Sequence, residues 1–122
     1  MLQEKNFYKV QAVEPVSEGS LKARVELNEK HKIFEGHFPG NPVVPGVCMV
    51  QMIKELVASA LNKELTLVTG DNLKFMNIVN PLVNKILDFD ISYKQVDDSV
   101  IKVNNTIFFE DKVFFKFSGT FK

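Results

Sequence analysis

With 122 residues, 45% of them hydrophobic and 25% charged, the chain has the size and balance of one ordinary globular domain, 1–122. Lys+Arg and Asp+Glu are equal at 15 each, so no net field draws nucleic acid. A single cysteine excludes an intrachain disulfide, and two histidines without CxxC or HExxH spacing offer neither a metal site nor a need for a cofactor.

The opening MLQEKNFYKV carries charges early and lacks the long apolar run of a secretory leader. The longest apolar segment, residues 43–53, is broken by Pro45 and Gln51 and is too short to span a bilayer. The expectation is a cytoplasmic protein with no membrane partner.

Residues 7–14, FYKVQAVE, read as a strand, and Pro15 with SEGS reads as the turn after it. From Leu21 the pattern is period two: Leu21, Ala23, Val25 and Leu27 alternate with Lys22, Arg24, Glu26 and Asn28, as in a half-buried strand. A loop dense in proline and glycine follows, holding Gly36, Pro39, Gly40, Pro42, Pro45 and Gly46. Such a stretch forbids regular structure but holds a rigid shape, which suits side chains that must stay still.

Residues 46–62 turn helical. Val47, Val50, Ile53, Val57, Ala60 and Leu61 form one stripe, and Met49, Met52 and Leu56 widen it until the first turns are apolar nearly all round. That pattern predicts a buried helix whose first N–H groups point back at the loop carrying His37. Beyond it, residues 73–79, 86–93, 99–109 and 113–121 are rich in Phe, Ile and Val and read as strands. Asp97-Asp98 and Glu110-Asp111-Lys112 are hairpin turns between them. One helix covers about six strands only if the sheet curls around it, so the expected class is α+β, a curved antiparallel sheet wrapped on a central helix.

The run HKIFEGHFPGNPVVPGVCMVQM, residues 31–52, resembles the loop-and-helix signature of the bacterial 3-hydroxyacyl-acyl carrier protein dehydratases, which are hotdog-fold enzymes of fatty acid synthesis. The likeness is densest over FEGHFPGNPVVPGV; a weaker one runs through LKFMNIVNPL and the closing hairpin. It implies a hotdog fold, a dimer, and an acyl tunnel along the dimer seam for a chain carried on the phosphopantetheine arm of acyl carrier protein. It also assigns His37 as the proton-transferring group. The family's second group, a Glu or Asp on the central helix, falls fourteen residues after His37, where this chain has Gln51.

Dehydration of a 3-hydroxyacyl thioester removes an α-proton and expels the 3-hydroxyl as water. An imidazole such as His37 titrates where it can take that proton. The Gly46 N–H, at a helix start, can hold the developing enolate oxygen, and the resemblance implies the same group. Gln51 donates hydrogen bonds but gives up no proton near neutral pH. Loss of a positioned acid typically costs about 10²–10⁴-fold in rate. The chain alone is therefore expected to be a slow dehydratase, or to meet a related partner whose Glu faces His37. Phe38, Pro45, Val47, Val50 and Phe75 are candidates to line the tunnel.

Plainer readings stand beside these. Gln51 is also an ordinary polar residue on a buried helix. His31, between lysines, reads as a solvated turn residue, and Cys48 as a small buried side chain. Glu35 and Glu55 are the two candidates to replace the missing acid. Two rival functions remain: a non-catalytic hotdog subunit that binds acyl chains or completes a heterodimer, and a hotdog acyl thioesterase.

Overall fold

The computed structural model describes residues 6–32, 34 and 43–122. Among these it contains six strands and one long helix: β1 (Tyr8–Ser17), β2 (Ser20–Leu27), α1 (Gly46–Leu61), β3 (Leu67–Phe75), β4 (Ile86–Gln95), β5 (Ile101–Phe109) and β6 (Lys112–Phe121). The strands form one antiparallel sheet in the order β1-β2-β4-β5-β6-β3. This curved sheet with its helix is a hotdog fold, the α+β class expected.

The period-two pattern of β2 predicts its buried face. Leu21, Ala23, Val25 and Leu27 are all inside, while Lys22 and Arg24 face out. The neighbouring β4 buries Leu87, Phe89 and Ile91 in the same alternation. On β6, Phe115, Phe117 and Phe121 turn inward. Their rings run as a row, Phe115 to Phe117 at 6.5 Å and Phe117 to Phe121 at 5.9 Å between centroids. The phenylalanine-rich tail is therefore core.

Against this face lies α1. It ends as its sequence suggests: Asn62 adopts the left-handed conformation, φ 54°, and the cap N–H groups reach Ala58 O and Ser59 O. Its inward face is Cys48, Met49, Met52, Ile53, Leu56 and Val57, with Glu55 buried among them. That corrects the expected stripe. Val47 is 76% exposed and Ala60 is also outside, so the first turn is apolar on a face that the protomer itself does not cover.

Two strand boundaries also differ from expectation. β1 runs straight through Pro15 to Ser17, and the turn falls at Glu18-Gly19, where Gly19 has φ +78°. Proline is tolerated there because β1 is an edge strand and its N–H side need not be paired. β3 starts at Leu67 rather than 73 and stops at Phe75 rather than 79. The Thr-Gly-Asp-Asn run reads locally as a turn, yet it pairs with β6 through two register shifts, between Leu67 and Thr69 and between Gly70 and Asn72. The sequence of β3 crosses to the far edge of the sheet, beyond β6, and so leaves that edge open.

Candidate active site

The start of α1 and the end of β3 meet at one place. Pro45 is the N-cap in extended conformation, no side chain caps the helix, and no acidic residue occupies its first turn. The first N–H groups of a helix have no intrahelical acceptor, so those of Gly46 and Val47 remain directed out of the helix end. That end opens on a cleft of about 370 Å³ lined by Val43 to Gly46, Met49 and residues 75–79.

Phe75 forms one wall. Its ring lies so close to Gly46 that a Cβ there would sit 2.7 Å from two ring carbons. It stacks at 4.8 Å on Phe115, which is fully buried, and is itself 59% exposed. Glycine at 46 is what admits the ring to the helix start.

The fold thus brings together three of the expected site residues, Pro45, Gly46 and Phe75, around one apolar cleft. Val50 packs against the core with part of its surface free, and Val47 stands outside the cleft on the exposed side of the helix. Gln51 is half-buried one helical turn beyond Val47. His37 and Phe38, like Glu35, lie outside the described residues.

Gln51 is not an isolated amide. Its Nε2 donates to Glu55 Oε2 at 2.8 Å, and the Tyr8 hydroxyl donates to Glu55 Oε1 at 3.0 Å. Glu55 is only 2% exposed and Tyr8 3%. Burial, then the charge of Glu55 and its hydrogen bond, push the Tyr8 hydroxyl well above the usual range of a phenol, so it remains a donor. The sequence flags Glu55 as a substitute acid but gives no sign of Tyr8, which lies 47 residues away and reaches the helix only through the sheet. A glutamate between Lys54 and Leu56 normally reads as solvent-facing.

Cys48 is buried, and burial raises its thiol above the ordinary value, which fits the plain core reading. His31 packs edge-on against Phe7 at 5.3 Å. Among the described residues no cluster of His, Cys, Asp and Glu could hold a metal ion, and no helix is long and apolar enough to cross a membrane.

Comparison with known proteins bears on the fold and the family. The 3-hydroxyacyl-[acyl-carrier-protein] dehydratase FabZ of Rickettsia canadensis (strain McKiel) is 35% identical over 100 residues, which cover 72% of this chain and 68% of that protein. FabZ of Rickettsia rickettsii (strain Sheila Smith) is 45% identical over 65 residues, or 47% of this chain and 43% of that protein. Among solved structures, a chain of the dehydratase heterocomplex ApeI:P from Xenorhabdus doucetiae superposes with a TM-score of 0.75 at 16% identity, covering 93% of this chain and 96% of that one. A putative thioesterase from Ralstonia eutropha shares the fold at a TM-score of 0.67 and 15% identity, covering 98% and 87%. Residues 13–111 match the family described as ApeI-like, ApeI dehydratase. The chain belongs to the ApeI-like dehydratase family.

Proposed function

We propose that this protein dehydrates 3-hydroxyacyl thioesters carried on acyl carrier protein, giving trans-2-enoyl thioesters in fatty acid or polyketide/polyene synthesis in the cytoplasm. The observation that carries the reading is the uncapped start of α1, open at Gly46 on an apolar cleft of about 370 Å³. In this reading the thioester carbonyl oxygen takes the Gly46 N–H, which stabilises the enolate as charge develops there. His37 removes the α-proton. The C–H pair becomes the new double bond, the C3–O bond breaks, and the imidazolium returns its proton to the departing hydroxyl as water. One group thus serves both transfers, because Gln51 supplies no proton.

The working unit in this reading is a dimer built on the open edge of β3. Every residue of that strand is exposed, including Leu67 at 44% and Val68 at 46%, and Ile78 just beyond is 67% exposed. A strand edge left open is an aggregation hazard unless another chain covers it. Pairing there sets a second protomer beside the Gly46 cleft. A relative of the same fold occurs in a dehydratase heterocomplex, which supports a related partner that brings the acid Gln51 lacks. Gln51 also supports the second reading, a subunit that binds acyl chains and completes a partner's site without turnover.

Product mass separates these readings. The protein is incubated with 3-hydroxyacyl-carrier protein, alone and with a related dehydratase chain. Loss of water is expected, slowly alone and faster with the partner. Release of the acyl group would instead identify a thioesterase, and an unchanged mass in both mixtures would favour the non-catalytic subunit.

A further inference from the structure

Antiparallel pairing sets side chains of neighbouring strands directly opposite one another, with Cβ atoms about 5 Å apart. On the outer face of the sheet, away from α1, the register of β5, β6 and β3 lines up two rows. One is Thr106, Lys116 and Lys74; the other is Asn104, Ser118 and Asn72. They line an open groove of about 480 Å³. The unusual contact is between Lys74 and Lys116. Like charges placed directly opposite are destabilising, and among the described residues neither lysine has a carboxylate within ion-pair distance. Elsewhere on this face cations meet carboxylates. Arg24 donates to both oxygens of Asp88, at 2.7 and 2.9 Å, and Lys22 stands opposite Asp90. The other like-charged pair, Lys94 and Lys102, is relieved by Asp71, which accepts from Lys102 at 2.9 Å. Lys74 and Lys116 are left as two exposed positive charges side by side, next to the hydroxyl and amide donors of Thr106, Ser118 and Asn72.

We propose that this groove is a binding site for a phosphate monoester, whose dianion lodges between Lys74 and Lys116. Two cations on neighbouring strands match a group that carries close to two negative charges, and the neutral donors beside them match its remaining acceptor oxygens. A carboxylate or a phosphodiester, with a single charge, would leave one lysine uncompensated. Asp90 lies on the same row toward β4, but Thr106 separates it from Lys116 and Lys22 lies on its other side, so the positive end of the groove is at β6 and β3. Alternation along β3 turns Lys74 and Phe75 to opposite faces, and it is Phe75 that belongs to the Gly46 cleft. The site is therefore separate from that cleft, stands or falls independently of the dehydratase reading, and leaves an acyl chain free to bind on the inner face.

The probes are inorganic phosphate, coenzyme A and dephospho-coenzyme A, the last two differing by one terminal phosphate monoester. Each is titrated into ¹⁵N-labelled protein at low ionic strength, where screening is weak. Phosphate is expected to shift the backbone amide signals of Lys74, Lys116 and Ser118 and to leave that of Gly46 in place. Lys116→Glu turns the like-charged pair into an opposite one, so its two effects run in opposite directions. The melting temperature is expected to rise by about 2 °C, while phosphate binding weakens by about tenfold or more. Lys74→Met removes one charge without reversing it and is expected to weaken binding by about threefold. Coenzyme A binding more tightly than dephospho-coenzyme A, with the difference lost in Lys116→Glu, would support the site and identify the terminal phosphate of a larger ligand as its occupant. Equal binding of the two, with inorganic phosphate still held at Lys74 and Lys116, would support the site with the free anion as occupant. Three results would each overturn the proposal: no shift at Lys74 and Lys116 in millimolar phosphate, the same shifts with chloride at matched ionic strength, or undiminished phosphate binding by folded Lys116→Glu.

Discussion

At the scale of single residues the account turns on two close approaches. The first is Phe75 over Gly46, where an added methyl would sit 2.7 Å from the ring. Gly46→Ala is expected to push the ring off the helix start and to lower stability by about 1 kcal/mol, the low end of overpacking costs, because a side chain rather than backbone must yield. Combining it with Phe75→Ala should remove the collision, and a double-mutant cycle by urea unfolding would show the coupling. Simple additivity would mean that the two do not meet. The second is the Tyr8–Glu55 contact. Tyr8 and Cys48 both have folded-state values raised above the ordinary 10.0 and 9.0. The unfolded chain therefore loses these protons first, and stability is full below pH 9 and falls as pH rises past 9 to 10. Melting temperatures between neutral and strongly alkaline pH should show this decline, with a shallower slope in Tyr8→Phe. Of this scale the sequence revealed the residues but not their partners. Gly46 and Gln51 were identifiable from the motif, whereas nothing local in KELVASAL or FYKV says that a glutamate and a tyrosine 47 residues apart will be buried together.

At the scale of elements, patterning succeeded where one force dominated. β2 and α1 were readable because burial on one face imposes a clean period, and Asn62 marks the helix end as expected. It failed where tertiary pairing overrode local preference. The Thr-Gly-Asp-Asn run of β3 has turn chemistry, but it is held extended against β6. The partner strand leaves room for this: Gly119 on β6 pairs with Gly70, and a Cβ at 119 would collide with the Thr69 carbonyl oxygen and with the Phe117 ring. Gly119→Ala is therefore expected to cost about 1–3 kcal/mol, more than Gly46→Ala because backbone must move. Denaturant unfolding of the variant would show a lower midpoint; an unchanged midpoint would mean that β3 shifts freely. The helix stripe was displaced for a related reason. Seen from the sequence, every apolar residue near the start of α1 belongs to the core, but a single sheet reaches only one side of a helix, and Val47 is left outside.

At the scale of the whole molecule, that uncovered first turn and the end of β3 both adjoin the Gly46 cleft, since Val47 follows Gly46 directly and Phe75 ends β3. Val47→Asp is a clean probe, because an acidic residue in the first turn of a helix favours the helix while opposing burial at a seam. If the proposed seam is right, light scattering should give a dimer for the wild type and a folded monomer for the variant, with the melting curve of the protomer itself little changed. A Val47→Asp protein that stays dimeric would place the seam elsewhere. The hotdog architecture was legible from element order and the loop-and-helix motif together; the sheet order, with β3 carried to the far edge, was not, because nothing in a strand's composition states which neighbour it will pair with.

The central claim is that this loop-and-helix site removes water from a 3-hydroxyacyl thioester with one proton-transferring group where the family uses two. The most direct measurement is the initial rate of enoyl formation on 3-hydroxyacyl-carrier protein by the wild type, His37→Asn, and the exchanged pair Gln51→Glu/Glu55→Gln, which keeps one carboxyl and one amide on the helix. The account predicts slow dehydration by the wild type, none by His37→Asn, and a gain of about 10²-fold or more in the exchanged pair, the worth of a positioned acid. Undiminished turnover in His37→Asn, or no gain in a folded, dimeric exchanged pair, would contradict it.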